Sequence, residues 1–297
     1  MSAEQLELIL ERFGAMSGAW TEATSLETMR ADFEAFFADY PEAAAQTEIT
    51  SLGGVPCERV IAPSAHAGRA ILLLHGGGFS VGSARAHRPY ATHLSEAARA
   101  VVYTVDYRLA PEAIFPAAVE DAYAAYQALL GDPNIDTIAV CGDSAGGGLA
   151  LSLLVQLRNG GLEQPASCAL VSPWADLACN GASYIDNADL DPISNKDMAL
   201  SMAQAYLGDG AAAKDPAASP IYGDLGGVAP MTIYAGTREI FLDDAKTIAS
   251  KIQKIGGAAE LNVWQGMIHQ WPLHIGRLDE ADAAVKELGA FFRKHWD

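Results

Sequence analysis

From about residue 46 to the C-terminus, continuously apolar runs alternate with runs of helical periodicity. The apolar runs lack the polar alternation of half-exposed strands, which is typical of strands buried on both faces of a sheet. They cover residues 69–78, 99–108, 136–148, 166–174, 230–237 and 258–266. The segments between them carry helical stripes, and one is formed by Ala245, Ile248, Ala249, Ile252 and Ile255. This alternation predicts an α/β fold with a mostly parallel central sheet flanked by helices, preceded by an antiparallel hairpin over residues 46–63.

Two segments do not follow this alternation. Residues 1–45 carry two apolar helical stripes, one from Leu6 to Phe13 and one from Met29 to Tyr40. Residues 180–215 interrupt the rhythm of strands and helices, and Ser194 to Asp197 resembles a helix start with an acidic third position. We expect the two segments to pack together as a lid over the C-terminal edge of the sheet.

The charge balance narrows the class of partner. The chain has 297 residues, of which 37 are acidic and 19 basic, for a formal net charge of −18. Such a chain repels nucleic acid and anionic membrane surfaces, so we expect a small-molecule partner of little or no charge. The N-terminal residues lack a signal-type pattern, and no apolar window is long enough to span a membrane. We therefore predict a cytoplasmic protein, and we expect its cysteines to be buried free thiols.

The strongest chemical signal is the segment Gly142-Asp143-Ser144-Ala145-Gly146. This G-x-S-x-G motif follows an apolar strand and opens an apolar helix, which is the context that a nucleophile elbow requires. The two glycines leave room for a tight turn, which would lift the Ser144 hydroxyl above the sheet at a helix N-terminus. Ser144 is therefore the predicted nucleophile.

A second glycine-rich segment, His75-Gly76-Gly77-Gly78, also follows a predicted strand. Acyl transfer passes through a tetrahedral oxyanion, which needs hydrogen-bond donors that are fixed in advance. The backbone N–H groups of Gly77, Gly78 and Ala145 are the predicted donors. A phosphate-binding loop is disfavoured because no lysine follows at the P-loop spacing.

A serine hydroxyl needs a general base, and a histidine in turn needs an orienting acid. His269 follows the last strand-like run, where the chain order serine, acid, histidine places the base, and His274 is the runner-up. His87 and His93 are predicted to be surface or packing residues. The acid is expected just after the run that ends at Gly236. Three carboxylates lie there, namely Glu239, Asp243 and Asp244.

We predict that Glu239 is the acid, because it lies in the loop ahead of the helix. Asp243 and Asp244 already belong to the start of that helix, where a carboxylate has a sufficient role in capping free N–H groups. They remain alternatives to Glu239. No metal site and no cofactor are expected.

Taken together, these motifs resemble those of the bacterial hormone-sensitive-lipase-like esterases of the α/β-hydrolase superfamily. The resemblance is carried by HGGG at 75–78, YRLAPE at 107–112, FPAAVEDA at 115–122, GDSAGG at 142–147, SPWADL at 172–177 and GMIH at 266–269. It implies an α/β-hydrolase fold with a helical cap, and hydrolysis of short-chain carboxylic esters by Ser144, His269 and the acid at 239. It also implies homodimers joined through the last strand, near residues 259–265.

The resemblance divides the chain into a catalytic core at 46–179 and 216–297, and a cap at 1–45 and 180–215. Arg108 and Glu112 of YRLAPE are expected to brace the scaffold. Two residues depart from the pattern of many members: Glu239 stands where they have Asp, and Gln270 stands where they have Gly.

Other functions on the same scaffold stay open. A lactonase or an amidase would use the same triad, and the sequence does not separate either from an esterase. A lyase, an acyltransferase or a non-enzymatic small-molecule receptor is disfavoured, the receptor because Ser144 and His269 are both present.

Overall fold

A computed structural model describes residues 2–21 and 23–296. Met1, Glu22 and Asp297, which belong to the predicted segments 1–45 and 216–297, lie outside the described residues. The strands are β1 Gln46–Leu52, β2 Val55–Ile61, β3 His66–Leu74, β4 Ala100–Val105, β5 Thr137–Asp143, β6 Ser167–Val171, β7 Met231–Gly236 and β8 Ala259–Trp264. The helices are α1 Ala3–Ser17, α2 Leu26–Ala38, α3 Ala84–Ala98, α4 Ala117–Leu130, α5 Ala145–Asn159, α6 Ser183–Asp186, α7 Lys196–Leu207, α8 Leu242–Lys254 and α9 Asp279–Lys294.

The eight strands form one sheet in the order β1-β2-β4-β3-β5-β6-β7-β8. The pairs β1–β2 and β2–β4 are antiparallel, and the neighbours from β4 to β8 are parallel. The predicted hairpin and the mostly parallel sheet are therefore confirmed. Because parallel strands end at the same edge, the loops after β3, β5, β6, β7 and β8 gather at one place.

Continuously apolar strands bury side chains on both faces of the sheet. Leu72 and Leu74 of β3 pack into the core beneath α4, α5 and α8, whereas Ile71 and Leu73 pack into the core beneath α3 and α9. All four side chains are fully buried. This two-sided burial is why these runs show no polar alternation.

Helices α1 and α2 confirm the helical prediction for the N-terminal segment, and their apolar stripes join the core on the α3–α9 side. Arg30 of α2 anchors this segment by donating to the carbonyl oxygens of Ser80 and Ala110 and to both carboxylate oxygens of Glu112. The guanidinium of Arg30 lowers the pKa of Glu112 to about 2. Glu112 therefore braces the scaffold, as predicted.

Arg108 likewise braces the scaffold, because it binds Asp121 and the Ala117 carbonyl of α4.

Two details of the helix predictions are wrong. Helix α7 starts one residue later than expected, since Asn195 and not Ser194 caps it by accepting from the N–H of Met198. Ile255 lies beyond the end of α8 and is 54% exposed, so it does not belong to the buried stripe.

Candidate active site

Ser144 lies at the junction between β5 and α5. Its backbone has φ 52° and ψ −121°, a conformation that is unfavourable for a residue with a side chain. The turn is possible because Gly142 and Gly146 lack Cβ atoms: a Cβ on Gly142 would meet the carbonyl oxygen of Gly146, and one on Gly146 would meet that of Leu74. The turn leaves the Ser144 hydroxyl at the N-terminus of α5.

Three side chains from three loops form one hydrogen-bonded chain. Nε2 of His269 lies 2.8 Å from Oγ of Ser144. Nδ1 of His269 lies 3.2 Å from Oε2 of Glu239. The ring of Phe241 packs against the imidazole at 4.7 Å between centroids, and all three polar side chains are buried. Such a chain of nucleophile, imidazole and carboxylate can move a proton from the serine to the histidine.

Glu239 is fully buried and accepts hydrogen bonds on both carboxylate oxygens. Oε1 accepts from Oγ of Ser172 at 2.8 Å and from the N–H of Gly236. Burial raises the pKa of Glu239, and the hydrogen bonds from His269 and from the Gly236 N–H oppose that rise. Ser172 begins the SPWADL motif and follows β6 directly, but no local sequence pattern indicates its contact with Glu239.

The other two carboxylates of the segment lie in the first turn of α8 and do not pair with His269. Asp244 is buried and accepts from the N–H groups of Ala175 and Asp176, at 2.8 and 2.9 Å. Asp243 accepts from the N–H of Ser183 at 3.0 Å. The expectation that they cap α8 is therefore wrong, because both reach across to the chain that follows β6. Burial raises the pKa of Asp244 well above its ordinary value.

The glycine loop after β3 lines the same cavity as Ser144. Gly77 and Gly78 have φ 113° and 60°, which favour glycine, and a Cβ on Gly78 would meet Sδ of Met202. Within residues 2–21 and 23–296, no hydrogen-bond acceptor pairs with the backbone N–H of Gly77, Gly78 or Ala145. These N–H groups are therefore free to bind an oxygen atom.

The remaining histidines near the site have other partners. Nδ1 of His274 pairs with the Tyr40 hydroxyl at 2.7 Å, and burial together with the charges of Arg12 and Arg277 lowers its pKa to about 3. His93 contacts the Pro41 carbonyl. Of the surface and packing roles expected for His87, the packing role is confirmed, because His87 is buried and its ring stacks on Phe37. Its Nε2 also lies 3.2 Å from Oδ1 of Asp143, a contact that the sequence did not indicate.

Ser144 and His269 open onto a cavity of about 740 Å³. Its wall comes from α1 and α2, from the glycine loop, from residues 192–205 and from the ring side chains Trp174 and Phe241. The two segments that depart from the strand–helix alternation therefore line the same cavity as the catalytic candidates. No lining residue within the described ranges is Lys, Arg, Asp or Glu.

Three further features concern the cysteines, metal binding and the membrane. All four cysteines are buried and free, and burial raises the pKa of each thiol. Across the described residues, no cluster of His, Cys, Asp and Glu is arranged to hold a metal ion. No helix in that part of the chain is long and apolar enough to cross a membrane.

Comparisons with known proteins define the class. A family with an α/β-hydrolase fold matches residues 71–273. The acetyl-hydrolase of Streptomyces hygroscopicus is 39% identical over 248 residues, which cover 83% of this chain and 82% of that protein. The crystal structure of an esterase from the bacterial hormone-sensitive lipase family has a TM-score of 0.95 and 38% identity, over 100% of both chains. The structure of EstE5 has a TM-score of 0.91 and 38% identity, over 100% of this chain and 99% of that one.

The chain is thus an α/β hydrolase. Within that superfamily it belongs to the bacterial hormone-sensitive-lipase-like esterases, and it is a carboxylic ester hydrolase.

Proposed function

We propose that this enzyme hydrolyses short-chain acyl esters through an acyl-enzyme intermediate on Ser144. The observation that carries the proposal is the hydrogen-bonded chain from Ser144 Oγ through His269 to Glu239. His269 acts as the general base, and Glu239 orients its ring and stabilises the imidazolium that forms.

The reaction runs in two halves. Ser144 Oγ attacks the ester carbonyl carbon while its proton passes to Nε2 of His269. The tetrahedral intermediate collapses as His269 returns that proton to the leaving alcohol. Water then attacks the acyl-enzyme with the same assistance, which releases the acid and restores Ser144.

We further propose that the N–H groups of Gly77, Gly78 and Ala145 form the oxyanion hole. Their lack of an acceptor and their position beside Ser144 support this role. Each donor of this kind contributes roughly 10²–10³ in rate, because it is fixed before charge develops on the oxygen.

The cavity supports substrates that are uncharged on both sides of the ester bond. A buried charge on the substrate would find no opposite charge among the lining residues. The structure of EstE5 comes from a crystal soaked by p-nitrophenyl butyrate. We propose acyl chains of about two to eight carbons, because added methylenes help binding only while they are buried.

A cavity of about 740 Å³ has more room than a short acyl chain requires, so the lid alone does not limit the length of the acyl chain. We propose that the limit comes from Trp174 and Phe241. Both rings are buried, and the backbone N–H of Trp174 donates to the carbonyl oxygen of Ser144, which keeps that residue beside the nucleophile. The wider region under α1, α2 and α7 then takes the alcohol group.

We propose that residues 1–45 and 180–215 are the cap, and that 46–179 and 216–297 form the catalytic core. The shared cavity lining supports this division. We also propose a cytoplasmic homodimer joined through β8. In the described sheet, β8 is an edge strand whose only neighbour is β7, and Val263 on it is 41% exposed.

The proposal is tested by hydrolysis of p-nitrophenyl butyrate by the wild type and by Ser144→Ala. The matched control is Ser152→Ala, which removes a buried hydroxyl two turns further along α5. We expect Ser144→Ala to lose nearly all activity with an unchanged melting temperature, and Ser152→Ala to keep it. A panel of esters, lactones and amides then tests the reaction class. Full activity of Ser144→Ala, or faster hydrolysis of amides or lactones than of butyrate esters, would contradict the proposal.

A further inference from the structure

Asp143, the residue directly before Ser144, joins three parts of the site. Its buried carboxylate accepts from the N–H of Gly76 at 3.1 Å, from the side-chain amide of Gln270, and it lies 3.2 Å from Nε2 of His87. These donors belong to the glycine loop, to the loop that carries His269, and to α3. The hydrolytic steps described above use none of these contacts.

Gln270 follows His269 directly and has a left-handed backbone, with φ 58° and ψ 26°. That conformation favours glycine, and a side chain there carries a steric cost. The side chain is nevertheless buried, and its Nε2 donates to Oδ2 of Asp143. Glutamine therefore supplies a bond at this position that a glycine would lack.

The backbone of Gln270 makes a second connection. Its N–H donates to Oγ of Ser172 at 3.0 Å, and the same hydroxyl donates to Glu239. Gln270 thus connects to the segment that carries Ser144 through Asp143, and to Glu239 through Ser172. It is itself the neighbour of the histidine.

The carboxylate of Asp143, which accepts from Gln270, is also contacted by His87 of α3. His87 faces acceptors with both ring nitrogens: Nδ1 lies 3.2 Å from the Ser83 carbonyl, and Nε2 faces Asp143. These contacts of His87 help to fix the carboxylate that Gln270 binds.

We infer that Gln270 is a positioning residue, whose amide ties the segment carrying His269 to Asp143 and so sets the alignment of His269 with Ser144. The inference rests on the proposed function. A positioning role of Gln270 can be distinguished from two other roles by its kinetic effect. A substrate contact would act on KM, because Gln270 also lines the cavity. A purely structural residue would act on stability and leave kcat unchanged.

The test replaces Gln270 by glycine, which removes the amide and relieves the backbone. We expect Gln270→Gly to keep or raise the melting temperature and to lower kcat for p-nitrophenyl butyrate about ten- to a hundredfold, because small misplacements of reacting groups are costly. KM should stay within about twofold. Gln270→Asn, which tolerates the left-handed backbone but is one methylene too short, should show the same loss of kcat. Gln270→Asn also provides the test if the Gln270→Gly variant does not fold.

A double-mutant cycle with Asp143→Asn tests the route. Because asparagine could still accept from Gln270, the second variant of the cycle is also made as Asp143→Ala, which removes the acceptor. If Gln270 acts through Asp143, the change Gln270→Gly should lower kcat much less in the Asp143→Ala background than in the wild type. Wild-type kcat in Gln270→Gly, a rise in KM alone, or additive effects in the cycle would overturn the inference. Failure of the proposed function is a separate result, since the wild-type enzyme itself would then not react at Ser144.

Discussion

Replacing Glu239 by glutamine tests the assignment of the acid most sharply, because it changes one atom of the site. Oε1 of Glu239 accepts from two donors, the Ser172 hydroxyl and the Gly236 N–H. A backbone N–H cannot turn away, so the amide nitrogen of the glutamine is driven to the position of Oε2. There it faces Nδ1 of His269. His269 must then accept at Nδ1 and carry its proton on Nε2, which can no longer take the proton of Ser144.

We expect this wrong tautomer, together with the loss of the charge that stabilises the imidazolium, to lower kcat by about 10⁴. Each factor of ten corresponds to about 1.4 kcal/mol, so the loss is about 5.5 kcal/mol of transition-state stabilisation. The protein should stay folded, because burial already disfavours the charged form of Glu239. The assay is steady-state hydrolysis of p-nitrophenyl butyrate, with circular dichroism to confirm the fold.

Asp243→Asn is the matched control. Asp243 lies four residues further along and contacts Ser183 and Lys246 rather than His269. We expect it to lower the unfolding free energy by about 1 kcal/mol or less and to keep kcat within a few-fold. If kcat of Glu239→Gln stays within tenfold of the wild type, or if folded Asp243→Asn is inactive, the assignment of Glu239 as the acid is refuted.

Three other predictions concern stability and substrate range. Asp244→Ala should lower the unfolding free energy by about 2–4 kcal/mol, because it leaves two buried N–H groups without an acceptor; an unchanged denaturation midpoint would contradict this. Burial lowers the pKa of His274 to about 3, so below about pH 6.5 the unfolded chain takes up a proton there that the folded protein refuses, and stability present at higher pH is lost as pH falls. His274→Phe should therefore lose about 2 kcal/mol less than the wild type between pH 7 and pH 5, and an equal loss in the two proteins would count against it. With p-nitrophenyl esters of increasing acyl length, kcat/KM should peak between about two and eight carbons, and a peak at long chains would argue against the acyl limit proposed for Trp174.

Local sequence patterns were sufficient to predict those parts of the structure that are determined by residues close to one another in the sequence. The inner strands were recognisable because both faces of each are buried, which removes polar residues from the run, as at Ile71 to Leu74. The expectation of two buried faces is wrong for β8, which lies at the edge of the sheet and has no fully buried residue. The turn at Ser144 was recognisable because its strained backbone requires glycines two residues to either side.

The parts that were missed depend on contacts between distant segments. Asp244 has the sequence position of a helix-capping residue, yet its partners Ala175 and Asp176 come from the loop after β6. For His87 the sequence predicts a surface or packing role, but not the contact of its ring with Asp143 at the end of β5. These groups come together only because the strands pack beside one another. The spacing of residues along the sequence does not indicate such contacts.

The central claim is that Ser144 is the nucleophile, and covalent labelling tests it most directly. The enzyme would be incubated with a p-nitrophenyl alkylphosphonate and examined by intact-protein mass spectrometry and by peptide mapping. We expect one phosphonyl group per chain, attached to Ser144, formed in step with the loss of esterase activity and absent from Ser144→Ala. Inactivation with the label on another residue, or full labelling of the Ser144→Ala protein, would contradict it.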